Sequence, residues 1–332
     1  MDLTTKYMGI ELANPLVVGA CPLSDDIGVA RGLEDAGAAA IVMRSLFMEQ
    51  ILRDQLAAHE LEAHHDSFAE ALSFFPEPAS FSLGPDEYLD QVRKLKDALG
   101  IPVVGSLNGI SCGTWVRYAK LIEQAGADAL ELNVYYLPLL TDEASADVEK
   151  LFLDVLTSVK EQVGIPLAIK LTPFFSALGG VARRLDLAGA DGLVLFNRLY
   201  QPDFDIEALE VKPVVHLSSS ADVQQRLLWA AALYGRVDAS LIVTGGVHDH
   251  IDVIKCVMAG ADATQLVSAV LREGAGKLTE IKDALATWLE THEYESLGQM
   301  RGSMSLLKSP DPESFERANY MRSLQSWVPG AH

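Results

Sequence analysis

Residues 125–134 read AGADALELNV, and this stretch decides the fold. An Ala-Gly pair closes a helical pattern, a turn follows, and a short apolar run, ALELNV, begins at Ala129. Glycine just past a helix end is a stop signal, because it takes a left-handed backbone that other residues resist. The same AGA corner recurs at Ala36, Ala188 and Ala259. One helix-to-strand corner used four times points to a repeated βα unit.

Similar runs lie on either side of this corner. They are LVVGAC from Leu16, AIVMRS from Ala40, PVVGSL from Pro102, PLAIKLT from Pro166, GLVLFN from Gly192, SLIVTGG from Ser240 and ATQLVSA from Ala263. With ALELNV they make eight strands. Most are nearly continuous apolar runs, as expected of parallel strands covered on both faces. Helical patterns such as VRYAKLIEQAG and VEKLFLDVLTSVKEQVG separate them. Right-handed βα units repeated in this way close into a (β/α)8 TIM barrel of the α/β class. A doubly wound open sheet is the alternative, and the first strand lacks the GxGxxG turn that would favour it.

One barrel domain is expected over residues 1–332. Two insertions, about 47–85 and 199–215, follow strands and so extend the C-terminal rim, where long loops serve as lids or binding walls. Within the first, DQLAAHELEAHHDSFAEAL reads as a helix and FFPEPASFSLGP as a loop. The tail from about 296 to 332 reads as a peripheral cap.

Composition narrows the function. The net charge of -20 argues against general affinity for nucleic acid or anionic lipid, while allowing a local basic pocket. No apolar run is long enough for a membrane span, and the N-terminal stretch does not read as a secretory signal. Cys21, Cys112 and Cys256 are widely separated and form no CxxC, so neither an iron–sulfur centre nor a disulfide framework is expected. A cytoplasmic protein is the expectation. His59, His64 and His65, like His248 and His250, lack a complete ligand set, and no metal is expected.

Polar residues gather where the strands end: Arg44 and Ser45, Asn108, Asn133, Lys170 and Thr172, Asn197, Gly245 and Gly246, and Ser268. A barrel interior is normally filled by branched apolar side chains. A lysine within Leu167–Leu171 is therefore expensive unless it is paired or functional. Thr244-Gly245-Gly246-Val247 leads towards a helix, and glycines there let backbone N–H groups approach an anion. The loops after strands seven and eight are the usual phosphate site of a barrel.

These motifs, in this order, resemble the dihydroorotate dehydrogenase family, especially its soluble class 1 members. The resemblance runs from Asn14 to about Gly274. It is carried by Asn14-Pro15, DALELNV at 128–134, PLAIKLTP at 166–173, GADGLVLFN at 189–197, IVTGGV and GADATQLVSAV. It implies FMN as cofactor, a small-molecule substrate, a homodimer and a place in pyrimidine biosynthesis. Ala20, Arg44, Ser45, Asn133, Lys170, Asn197, Ser219, Gly245, Gly246 and Ser268 are the implied cofactor contacts. Asn133, Asn197 and Ser82 are the implied substrate contacts. Lys170 is the implied electrostatic partner of the flavin ring. The electron donor or acceptor is not named by the sequence.

The chain departs from the family at four places. Tyr136 stands where the family has a Cys or Ser base, and Arg44 replaces a lysine. Ser80–Gly84 replaces the substrate loop. Val267 and the Ser218–Ser220 run replace glycines near the phosphate. A tyrosine, with an ordinary pKa near 10, is a poor base and a usable proton donor at neutral pH. The expectation is thus an FMN-dependent oxidoreductase acting on a CH–CH or C=C bond of a small cyclic or conjugated compound, with Tyr136 and Lys170 catalytic. Two alternatives are a Schiff-base lyase or aldolase using Lys170 and a non-catalytic flavin-binding subunit of a redox complex.

Overall fold

The structure is a computed structural model, described over residues 1–52, 84–109, 112–198, 202–212, 216–310, 312–315 and 317–326. Eight parallel strands form the barrel: β1 Leu16–Val18, β2 Ala40–Val42, β3 Val103–Gly109, β4 Ala129–Val134, β5 Leu167–Lys170, β6 Gly192–Leu195, β7 Ser240–Thr244 and β8 Ala263–Leu266. Each pairs with the next, and β8 pairs with β1 to close the ring.

Helices follow the strands: α1 Ile27–Asp35, α2 Pro85–Ala98, α3 Cys112–Gln124, α4 Ser145–Lys160, α5 Leu178–Leu187, α6 Gln224–Leu233 and α7 His250–Ala259. After β8 come a short helix α8, Ser268–Glu273, and the long α9, Gly276–Thr291. The four AGA corners are where expected. Gly37, Gly126, Gly189 and Gly260 have φ of 104°, 99°, 94° and 127°, backbone that L side chains rarely adopt.

The period of two along each strand divides the core. Outward residues such as Leu130, Leu132, Leu167, Ile169, Leu193 and Val243 pack under the helices. Inward residues at one level of the barrel are small or apolar: Val17, Ala40, Val104, Ala129, Ala168, Ile242 and Ala263. An N-terminal hairpin, Thr5–Tyr7 with Ile10–Leu12, uses the room they leave. Its Tyr7 and Met8 are buried against this inner cluster. A Cβ on Gly192 would stand 3.0 Å from Met8 and 3.1 Å from Tyr7, a tight fit. That hairpin plugs the inner layer and was not visible in the sequence pattern.

Two residues further along five of the strands, the inward positions become polar: Ser106, Glu131, Lys170, Thr244 and Gln265 are all buried. Asn108, Asn133 and Thr172 continue the same columns. Apolar filling at the bottom and polar filling at the C-terminal mouth is the pattern of a barrel with a working site.

Of the two rim insertions, residues 53–83 lie outside the described residues, and with them the expected helix, the expected loop and Ser82. The second contains an antiparallel hairpin, Asp203–Asp205 with Glu210–Lys212, whose Phe204, Leu209 and Val211 are exposed. The start of the tail is anchored on the barrel. Leu297 and Met300 are buried, and Gly302, Met304 and Leu306 donate backbone hydrogen bonds to Val257, Met258 and Ala231. No helix among the described residues is long and apolar enough to cross a membrane.

Candidate functional site

A cavity of about 800 Å3 opens at the C-terminal mouth of the barrel. Pockets for organic cofactors and substrates have this size. Ala20, Arg44, Ser45, Asn133, Lys170, Asn197, Gly245, Gly246 and Ser268 all line it. They arrive from seven different strand ends. Strand register explains the convergence, because Asn108 lies beside Asn133 and Asn133 beside Lys170.

One wall is polar, with three hydrogen-bonded groups. Lys170 Nζ donates to Glu131 Oε1 at 2.6 Å, and Gln265 Nε2 donates to Glu131 Oε2 at 2.6 Å. Glu131 is fully buried, and its charge would be prohibitive without these two partners. Asn197 Nδ2 donates to Asn133 Oδ1 at 2.6 Å across the mouth. Ser45 shares a 2.7 Å hydrogen bond with Ser106. Arg44 reaches Asp25 at 3.1 Å, so its guanidinium is anchored on the rim beside the cavity.

The opposite end is built from backbone. Gly245 and Gly246 have φ of 85° and 87°. A Cβ on Gly246 would stand 2.3 Å from the backbone nitrogen of Val223, so only glycine fits. Arg226 holds this loop by donating from Nε to the Thr244 carbonyl at 2.7 Å and from Nη1 to the Asp222 carbonyl. Ser218 N donates to Ser268 Oγ at 3.1 Å, tying the neighbouring loop to the start of α8. The N-terminus of α7 is occupied by its own cap, since Asp249 accepts from Asp252 N. The Gly-Gly loop and Ser268 at the start of α8 line the cavity beside that capped end.

Four cations line the cavity, Arg44, Lys170, Arg198 and Arg226, against one carboxylate, Asp222. In a chain of net charge -20 this is a local basic pocket. The backbone N–H of Ser219 holds the Asp222 carboxyl below the usual range, so it stays ionised at neutral pH.

Two expected site residues stand elsewhere. Ser219 caps the turn Ser220–Val223 through Asp222, and its neighbour Ser218 takes the place on the cavity wall. Tyr136 is outside the lining, and its hydroxyl donates to Glu143 at 2.7 Å. That bond pushes the phenol above its ordinary pKa, with a smaller push from burial. Ser82 falls in the segment without description. Residues that the strand-end reading missed are Gln265, Arg198 and Arg226 on the wall, with Glu131 behind it.

Comparison with known proteins gives the family. The family profile described as Dihydroorotate dehydrogenase matches residues 81–289, more than half of the chain. The chain belongs to the dihydroorotate dehydrogenase family. Relatives named "Dihydroorotate dehydrogenase B (NAD(+)), catalytic subunit" include one from Thermoplasma acidophilum, 26% identical, covering 91% of this chain and 98% of that protein. Another from Methanocaldococcus jannaschii is 28% identical, covering 87% and 94%. A third, from Pyrococcus abyssi, is 27% identical and covers 90% and 98%. The protein is thus an oxidoreductase of the dihydroorotate dehydrogenase type, from a flavin-dependent family.

The ion pair weakens the Schiff-base alternative for Lys170. An ammonium engaged with a buried carboxylate has no lone pair with which to attack a carbonyl. Two features of the cavity fit a phosphorylated heterocycle instead. Gly245, Gly246 and Ser268 line the cavity with small residues, and Gln265 Oε1 is a buried acceptor with no hydrogen-bond partner among the described residues. A buried acceptor of this kind calls for a donor on a ligand.

Proposed function

We propose that this protein is an FMN-dependent oxidoreductase that reduces the C=C bond of a small conjugated or cyclic compound. The observation that carries the cofactor assignment is the polarity of the cavity at the barrel mouth. A basic, glycine-floored end suits the phosphate, and a wall of amides with one lysine suits the polar edge of a flavin ring.

Gly245, Gly246 and Ser268 hold the phosphate, with Arg226 keeping the loop in shape and Arg198 adding charge. Lys170, Asn133 and Asn197 hydrogen-bond the ring or the substrate amides. Ala20 and Ser45 flank the ring from the first two strands. When bound, FMN supplies hydride chemistry at its ring. Lys170 favours negative charge building up beside it, because a fixed cation in a water-poor site needs no reorganisation during the reaction.

The direction follows from Tyr136. The Glu143 hydrogen bond keeps the phenol protonated, so Tyr136 is available as a donor and not as a base. Reduction of an activated alkene needs such a donor, whereas oxidation of dihydroorotate needs a base. Substrate must take the Tyr136 hydroxyl from Glu143 for the transfer to occur. Arg44 adds a permanent cation to the substrate side.

The relatives are named as catalytic subunits that use NAD(+). By analogy, this chain works with a second subunit that exchanges electrons with it, as a dimer of one catalytic domain per chain in the cytoplasm. The test is an anaerobic assay of the photoreduced, FMN-loaded protein with dihydroorotate, orotate and a panel of cyclic enones and maleimides. Flavin reoxidation by an activated alkene is the expected result. Turnover of dihydroorotate to orotate, with no alkene accepted, would overturn the reductive assignment.

A further inference from the structure

Glu131 has no part in the assignments above, yet it is the best-placed charge in the barrel. It lies two residues before Asn133 on β4, behind the cavity wall, and none of its surface is exposed. One carboxylate oxygen takes Lys170 from β5, and the other takes Gln265 from β8. The three side chains thus join strands that are not all adjacent, through the middle of the barrel. Burial first, and then the charge of Glu131, push the phenol of Tyr7 beneath it well above the ordinary value. The neighbouring phenol therefore stays neutral, and the carboxylate's cationic contact is Lys170.

The network has a direction. A carboxylate only accepts hydrogen bonds, so Gln265 must turn its NH2 towards Glu131. Its carbonyl oxygen is then forced to the other side. There Oε1 is buried without a partner, beside the position a Cβ on Gly19 would fill, 3.2 Å away. Gln265 itself lines the cavity. The Glu131 charge therefore fixes two groups at once, the Lys170 cation and the Gln265 carbonyl.

We propose that Glu131 is a positioning residue that holds Lys170 Nζ as a donor and Gln265 Oε1 as an acceptor towards the ring of the bound cofactor, and that its negative charge offsets Lys170 and so lowers the cofactor's reduction potential. This rests on the FMN assignment. A ring carrying C=O and N–H groups along one edge matches such a donor and acceptor. The fully paired carboxylate also sets how much of the lysine charge the ring feels, because a buried charge acts strongly on its neighbours.

The experiment compares the FMN-loaded wild type with Glu131→Gln and Lys170→Met by spectroscopic redox titration. Glu131→Gln removes the offsetting charge, so its potential should rise above wild type. Lys170→Met removes the cation, so its potential should fall. A Glu131→Gln potential that is unchanged or lower overturns the proposal, because a purely structural carboxylate would give that result. If Glu131→Gln does not fold, Gln265→Leu decides. Loss of the acceptor should weaken FMN binding about tenfold, read by fluorescence quenching. Unchanged affinity in that variant overturns the proposal. A wild type that takes up no FMN defeats the cofactor assignment instead, and the two failures are thereby distinct.

Discussion

Asn197 Nδ2 and Asn133 Oδ1 meet at 2.6 Å, joining the end of β6 to the end of β4 across the mouth of the cavity. The contact orients both amides. With its Oδ1 accepting, Asn133 keeps its NH2 group for another partner, and Asn197 keeps its carbonyl.

The two asparagines should therefore act as a unit. Asn133→Ala and Asn197→Ala should each weaken FMN or substrate binding, and the double variant should lose less than the sum. A coupling of about 1 kcal/mol is expected for one buried hydrogen bond. A double-mutant cycle on binding constants measures it, and strict additivity would show that the pair acts independently.

Gly246→Ala should damage the phosphate end. Its φ of 87° disfavours any side chain, and the added Cβ would collide with the Val223 backbone. Strain of this kind is worth ~1–3 kcal/mol. The expected outcome is a lower Tm together with weaker FMN binding. A variant that binds FMN as tightly as the wild type would remove the Gly-Gly loop from the phosphate site.

Tyr136→Phe should leave FMN binding intact, because Tyr136 does not line the cavity. Alkene reduction should fall about 100-fold, the typical contribution of a general acid. Because the Glu143 contact raises the phenol of the free enzyme above its ordinary value of 10.0, kcat/KM should show no loss from Tyr136 ionisation until above pH 10. Full activity in the phenylalanine variant would contradict the donor role.

Asp222 gives a prediction in acid. Its folded pKa is depressed by the Ser219 N–H, so it contributes stability above the ordinary value of 3.8. That contribution is lost as the pH falls through the lower folded value. Asp222→Asn should therefore be less stable than wild type at pH 7, with the gap narrowing below pH 3.8. Urea midpoints across pH measure this, and a gap that persists undiminished in strong acid would contradict it.

The barrel was legible because parallel strands covered on both faces must be apolar throughout, and because each AGA corner needs the same left-handed glycine. The N-terminal plug was not, since its two strands of three residues are too short to show a period. Glu131 and Gln265 escaped for a different reason. Both sit inside apolar runs, ALELNV and ATQL, and a run counted as a whole hides which face each residue takes. Parity would have found Glu131, two residues before Asn133 and hence in the same inward column. Loop residues obey no such rule. Ser218 rather than Ser219 faces the cavity, and Tyr136 turns to Glu143, because local hydrogen bonds set those side chains.

The absorption spectrum of the purified protein, followed by heat release and identification of its chromophore, tests the central assignment most directly. The expected result is a yellow protein that releases FMN, and neither FAD nor riboflavin, in about one copy per chain. A colourless protein that also fails to quench the fluorescence of added FMN would contradict it.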